Sequence, residues 1–434
     1  MSSEDLLDRH RAVMPAWLAL YYDRPLELVS GSGSRVTDSE GTTYLDFFAG
    51  ILTNMLGYDP AEVREAVQEQ IGRGVVHTST LYLLRAQVEL AERIATLSGI
   101  PDAKVFFTSS GTEANEAALL LATTYRRSNS VIALRNSYHG RTFATTAVTG
   151  NRGWSASSLS PLQVTYAQGG YRFRSSFREL DDAAYIAACV RDLRELLDTT
   201  TAGDVACMIA EPVQGVGGFA VPPDGLFAAY KQVLDERGIL FVSDEVQTGW
   251  GRTGEHFWGI GAHGIVPDAM TFAKGLAGGY AIGGVVARGD LMDCLSANSI
   301  STFGGNPVST VAAGAVLDVV LSRDLQGNAA KLGATLLTGL RDVAERCPLV
   351  GEVRGKGLMI GIELVGPDGY APDAPAAARV LEETRARGLL VGKGGLYGNV
   401  LRLAPPLNLS QAEADEGLEI LTASLETVDR ERRS

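Results

Sequence analysis

Residues 238–284 read GILFVSDEVQTGWGRTGEHFWGIGAHGIVPDAMTFAKGLAGGYAIGG, and the reading of this stretch decides the fold. Ile239 to Val242 is a short apolar run, the pattern of a strand buried on both faces. It ends on two acids, Asp244 and Glu245. A glycine-punctuated loop follows. Ala269 to Ala273 then forms a second apolar segment, which delivers Lys274 into a loop with glycines at 275, 278, 279, 283 and 284. In a parallel α/β sheet, ligands sit in the crevice beyond the carboxyl ends of the strands. An aspartate after one buried strand and a lysine after the next can therefore meet in one site.

That pair has a definite chemistry. A lysine stripped of water has a lowered pKa and can form a Schiff base with a carbonyl. An aspartate aimed at a pyridinium nitrogen completes a site for pyridoxal 5'-phosphate. The competing reading makes Lys274 a surface lysine and Asp244 a turn residue, and lysines are indeed rarely buried. The glycines around Lys274 weigh against it, because close approach of a large cofactor to the backbone is one use of glycine.

SDEVQTGWGRTG followed by FAKGLAGG closely resembles the signature of the class-III, pyridoxal phosphate-dependent aminotransferases. The resemblance implies an α/β chain of fold type I. Its large domain would hold a mostly parallel sheet flanked by helices, with a smaller α+β domain built from both termini. The expected division is 1–60 as an N-terminal segment joining the small domain, 61–322 as the large cofactor-binding domain, and 323–434 as the C-terminal small domain. A homodimer with shared active sites is also implied; pairing of dimers into tetramers stays open.

Composition agrees with a two-domain soluble enzyme. The chain has 434 residues and a formal net charge of −13. The length suits two domains. The charge argues against broad nucleic-acid binding and against adhesion to anionic membranes. Cys189, Cys207, Cys294 and Cys347 show no CxxC spacing, and the five histidines form no HExxH cluster, so no metal site is expected. MSSEDLLDRH lacks an apolar signal core, and no apolar run reaches membrane-spanning length. The expected compartment is the cytoplasm.

The remaining motifs fall into place along the chain. LELVS and SRVTDSEGTTYLDFF predict a small antiparallel meander before residue 50. In the family the stretch matching GILTNMLGY (50–58) lines the substrate pocket, which makes Ile51 a candidate; simple core packing of Ile51 and Leu52 is the alternative. Pro60 to Arg73 predicts an amphipathic helix burying Val63, Ala66, Val67 and Ile71. KVFFT (104–108) then runs through SSGTEANE into a helix, and a helix N-terminus with a serine and a threonine can bind an anion. An ordinary N-cap by Ser110 or Thr112 is the other reading. Resemblance to the family's phosphate turn selects Ser110, Gly111 and Thr112 as phosphate contacts. It likewise implies that Tyr138 of RNSYHGRT lies on the pyridine ring and that Arg141 binds a substrate carboxylate; His139 reads as structural rather than catalytic, since Lys274 already supplies the base.

Residues 165–180, with GGYRFRSSFRELDD, predict a surface insertion. VACMIA (205–210) is a buried strand leading to EPVQGVGG, where the family uses Glu211 to orient its neighbours. Relatives acting on ornithine, acetylornithine and 4-aminobutyrate carry a glutamate where this chain has Val216. Valine cannot neutralise an arginine, so donors that need that switch are disfavoured, and the motif resembles the alanine–glyoxylate type 2 branch. Thr302 of STFGGNPVS either caps the following helix or, as in the family, reaches the cofactor phosphate of a neighbouring subunit. Arg402 sits between Leu401 and Leu403 on a strand and needs a carboxylate partner. That partner is a structural salt bridge or, as the resemblance implies, the substrate α-carboxylate.

The implied reaction is a ping-pong transfer. Lys274 would hold pyridoxal phosphate and move the proton, Asp244 would keep the ring nitrogen protonated, Gln247 would meet the ring hydroxyl, and Val246 would pack on the ring. The amino donor would be alanine or a β/ω-amino acid, the acceptor an oxo acid such as glyoxylate or pyruvate. A lyase, racemase or aminomutase would use the same residues. A non-catalytic α/β binding protein is the reading from another class.

Overall fold

The computed structural model describes residues 3–433. Its strands in chain order are β1 (Leu28–Ser32), β2 (Arg35–Asp38), β3 (Thr43–Asp46), β4 (Ala103–Thr108), β5 (Ser130–Leu134), β6 (Gln163–Ala167), β7 (Cys207–Ala210), β8 (Leu240–Asp244), β9 (Ala269–Phe272), β10 (Gly283–Arg288), β11 (Val350–Lys356), β12 (Met359–Leu364), β13 (Leu389–Leu390), β14 (Gly392–Gly394) and β15 (Val400–Leu403). Seven of them form one sheet in the order β4-β10-β9-β8-β7-β5-β6. Strands β6, β5, β7, β8 and β9 are parallel. β10 runs antiparallel to both β9 and β4.

The apolar runs at β7, β8 and β9 are continuous because both faces of the sheet are covered. Successive side chains go to opposite layers. Cys207, Ile209 and Val242 pack with Ala114, Ala118 and Ala122 of the helix Gly111–Arg126. Met208, Ala210 and Phe241 pack with Tyr185, Cys189 and Phe227 of the helices Asp182–Thr199 and Leu226–Glu236. The α/β class and the mostly parallel sheet flanked by helices are as expected.

Two four-stranded sheets lie outside this core, β1-β2-β3-β13 and β11-β12-β15-β14. The first is the antiparallel meander of residues 28–46, extended by β13 in parallel with β3. The second is antiparallel throughout. Ala404 N also donates to Phe47 O at 2.6 Å, so chain from both ends is interleaved beside the site.

Three expectations fail. Residues 165–180 are no surface insertion: 165–167 belong to β6, Tyr171 is buried, its hydroxyl donates to both oxygens of Glu363 in β12, and Arg174 pairs with the same carboxylate. The stretch reads as polar because its polar groups satisfy a buried acid. Ile71 is 53% exposed, and the helix Ala61–Gly72 buries Val63, Val67 and Gln70 instead, the i, i+4, i+7 stripe. Gln70 belongs there because its amide donates to Val75 O at 2.7 Å. Thr302 does not cap the helix Pro307–Ser322, since Asn306 does so by accepting from Ser309 N.

Candidate active site

The carboxyl ends of β4, β5, β7, β8 and β9 open on one cavity of about 330 Å³. It is lined by Ser110, Gly111, Thr112, Tyr138, Glu211, Asp244, Val246, Gln247 and Lys274, among others. Nine of the thirteen residues picked from the sequence thus meet here.

Asp244 closes β8, and its carboxylate is oriented from behind. Oδ2 accepts from Asn115 Nδ2 and lies against His139 Nδ1, each at 2.7 Å, while Oδ1 accepts from Val246 N at 3.1 Å. Asn115 is itself held, donating to His139 O and accepting from Thr271 Oγ1. Asp244 is therefore fixed with its other face toward the cavity. Asn115, and the contact with Asp244 that gives His139 its structural role, were hidden in the sequence. A usable signal existed for Asn115, which follows Thr112 by three residues and so shares its helix face. The neighbouring Glu245 turns away. It accepts from Thr248, Gly259 N and Ile260 N inside the protein and has no place in the cavity.

Lys274 follows β9 at φ +46°, in the left-handed region that costs a side-chain-bearing residue roughly 1–2 kcal/mol. It lines the cavity and makes no hydrogen bond or ion pair among the described residues. Loss of water pushes its pKa down to about 8, and the nearby Arg402 charge adds to the effect against the opposing pull of Asp244 and Glu211. Such a lysine keeps roughly a tenth of its amine neutral at pH 7, far more than an ordinary lysine, and it is the neutral form that acts as a nucleophile. The glycines after it have other reasons than a ligand. A Cβ at Gly283 would stand 2.5 Å from Ser110 O, and one at Gly284 would meet the Phe272 ring at 2.5 Å.

Ser110 is the N-cap of the helix Gly111–Arg126, its hydroxyl accepting from Glu113 N at 3.2 Å. Gly111 and Thr112 precede the first intrahelical donor, Ala114 N, which gives to Ser110 O, so their own amides have no acceptor within the helix and border the cavity as free donors. The N-cap by Ser110 is formed, and it leaves the two amides after it unused by the helix. Glu211 accepts from Tyr138 N at 2.9 Å and Gly215 N at 2.8 Å. Burial pushes its pKa up to about 7, and the Asp244 charge adds to that. It fastens the Tyr138 backbone rather than facing open water. Two buried atoms of this region lack partners among the described residues, His139 Nε2 and Gln247 Oε1. Unpaired buried polar atoms are rare, and here they border a cavity with room for a ligand.

Four candidates lie off this wall. Arg402 is 3% exposed and has no carboxylate partner among the described residues, so the structural salt bridge is not formed. Its guanidinium donates to Gly215 O and Lys393 O and lies between the rings of Phe48 and Phe219. Burial without a counter-ion lowers its pKa. Arg141 is exposed, with its charge felt at the Tyr138 hydroxyl. Ile51 is 45% exposed at φ +64° and does not line the cavity. Leu52 packs in the core with Phe48 and Phe219, and it is Thr53 that reaches the cavity. Thr302 is exposed.

The donor set fits pyridoxal phosphate: an unpaired amine, an anchored carboxylate, an aromatic ring and a helix N-terminus share one concave space. Among the described residues no cluster of His, Cys, Asp and Glu could hold a metal ion, and no helix is long and apolar enough to cross a membrane.

Comparison with known proteins agrees with this geometry. The model of the aminotransferase class-III family matches residues 21–425. The chain is 38% identical to the alanine–glyoxylate aminotransferase 2 homolog 2, mitochondrial, of Arabidopsis thaliana, covering 98% of this chain and 88% of that protein. It is 36% identical to the acetylornithine aminotransferase of Methanothermobacter thermautotrophicus, over 97% and 98% of the two chains. It is 32% identical to the alanine/serine racemase of Pyrococcus horikoshii, over 98% and 90%. An amine transaminase from an uncultivated Pseudomonas species, solved in a PLP-bound form, matches with a TM-score of 0.88 at 32% identity, over 96% and 98%.

Proposed function

The chain belongs to the class-III aminotransferases, and from that premise we propose that it transfers an amino group from alanine, or a β- or ω-amino acid, to glyoxylate, pyruvate or another oxo acid, with pyridoxal phosphate held at Lys274. The observation that carries this reading is the partnerless, desolvated Lys274 in one cavity with the anchored Asp244.

Gly111 and Thr112, with Ser110 as their cap, would hold the phosphate. Tyr138 and Val246 would contact the ring, Gln247 its hydroxyl, and Asp244 its nitrogen. When bound, the cofactor supplies an electron sink for the pair left as the substrate Cα–H bond breaks. Lys274 moves that proton, a task suited to an amine whose pKa lies near the working pH. Asp244, held by His139 and Asn115, presents a fixed negative charge to the ring nitrogen. Glu211 keeps the Tyr138 backbone in place. Arg402 receives the donor's carboxylate, which would give a buried guanidinium the counter-ion it lacks. Arg141 is a second, exposed carboxylate contact, and Ile51 belongs to the rim of the pocket.

Val216 supports alanine over acetylornithine, because a valine cannot neutralise Arg402 and release its grip on a carboxylate. Residues 1–60 and 323–434 form the smaller unit in this reading, against 61–322. Exposed Ile300 and Phe303 flank Thr302, and Leu81, Tyr82 and Leu83 are exposed as well, which supports a homodimer in which Thr302 serves the partner's phosphate. The cytoplasm remains the compartment proposed, on the ground of four free cysteines.

Borohydride reduction of the purified protein followed by peptide mapping tests the core of the proposal. A pyridoxyl adduct should fall on Lys274 alone, and Lys274→Ala should lose both adduct and turnover. An adduct elsewhere, or full activity in the variant, would overturn the assignment. The racemase relative favours one second reading, interconversion of alanine enantiomers at the same lysine. Chiral analysis of alanine incubated without an oxo acid separates the two.

A further inference from the structure

Arg402 depends on supports that its own strand does not supply. Nη1 donates to Gly215 O at 3.3 Å and Nη2 to Lys393 O at 3.0 Å, while Nε has no acceptor among the described residues. The rings of Phe48 and Phe219 lie 4.9 and 5.6 Å from the guanidinium carbon. Gly215 O and Phe219 belong to one turn, closed by Gly218 N and Phe219 N donating to Gly215 O at 3.2 and 3.4 Å. The same turn gives Gly215 N to Glu211. Half of the cradle of Arg402 and one anchor of Glu211 therefore move together.

The turn is pinned from the small antiparallel sheet. Arg354 of β11 donates to Gly218 O through both Nε (3.0 Å) and Nη2 (2.8 Å). Its remaining nitrogen meets Glu363 of β12 at 2.7 Å and also contacts Glu352. Glu363 is wholly buried and further accepts from Tyr171 Oη, Arg174 Nε (2.5 Å) and Asn399 Nδ2 (3.2 Å). One buried carboxylate is thus shared by two arginines. Gly361 lets β12 press on the turn directly, since a Cβ there would stand 2.5 Å from Gly218 O.

We propose that Glu363 and Arg354 are positioning residues for the carboxylate subsite at Arg402: by holding Gly218 O they fix the turn that presents Gly215 O and Phe219 to the guanidinium. This rests on the reading of Arg402 as the carboxylate receptor. Without the Glu363 charge, Arg354 is drawn to Glu352, whose side chain is 29% exposed, and releases Gly218 O. Arg402 then loses an acceptor and a ring face and no longer waits in one orientation.

A double-mutant cycle on the holoenzyme tests this, with propionate as an unreactive carboxylate probe and calorimetry as the readout. Arg402→Lys should weaken propionate by about tenfold, because a charge remains without its paired donors. Glu363→Gln should weaken it by about tenfold in the native background but by less than about twofold beside Arg402→Lys, since interacting residues are not additive. Bound cofactor per subunit should stay unchanged. Equal losses in both backgrounds, or no loss at all, would overturn the proposal. Unaltered binding by Arg402→Lys alone would instead overturn the Arg402 reading, and the inference with it. If Glu363→Gln does not yield folded protein, Arg354→Lys takes its place with the same expected pattern.

Discussion

At the scale of single residues, the site is built from charges that were made costly and then used. Lys274 forms no ion pair among the described residues and sits where burial lowers its pKa to about 8. Between that value and the ordinary lysine range near 10.4, the unfolded chain binds more protons at this position than the folded one, so the cofactor-free protein should gain stability as pH rises through this window. Below the window the folded amine is also charged and the gain is absent. Denaturant unfolding of the apoprotein from pH 7 to 10.5 checks this: the gain should be smaller in Lys274→Met, and an identical slope in both proteins would contradict it. Asp244 and Lys274 were legible because each ends an apolar strand. Asn115 and the partner of the structural His139 were not, because the acid they touch lies more than a hundred positions away. Arg402 was half legible. Its strand position predicted a need for a carboxylate, and only the fold shows that the protein leaves that need unmet.

At the scale of elements, β10 and the turn at Ser110 after β4 are packed too closely for a side chain at Gly283. Gly283 pairs with Thr108, and a Cβ there would collide with Ser110 O. Gly283→Ala should cost about 1–3 kcal/mol through forced displacement of that turn, and cofactor retention should weaken along with it. Thermal melts with and without added cofactor measure both; a melt unchanged in each condition would refute the close-packing argument. The parallel core was readable because strands buried on both faces leave continuous apolar runs. The stretch 165–180 was not, since Tyr171 and Arg174 look solvated until Glu363 is placed beside them. Gln70 and Ile71 exchange roles for a similar reason, a backbone carbonyl at Val75 that no periodicity reveals.

At the scale of the whole molecule, an exposed apolar set around Leu81–Leu83 and Ile300–Phe303 accompanies a Thr302 that lies outside its own chain's cavity. Light scattering should give at least twice the mass of one chain, and a monomer active at catalytic concentrations would contradict the shared-site assembly. The central claim is narrower: one chain accepts an amino group and then stops until an oxo acid takes it. The most direct measurement is the pyruvate released when purified protein meets excess L-alanine with no acceptor present. The account predicts about one pyruvate per functional site, no further release, and renewed turnover once glyoxylate is added. Formation of D-alanine with no pyruvate, or pyruvate release that continues without an acceptor, would contradict it.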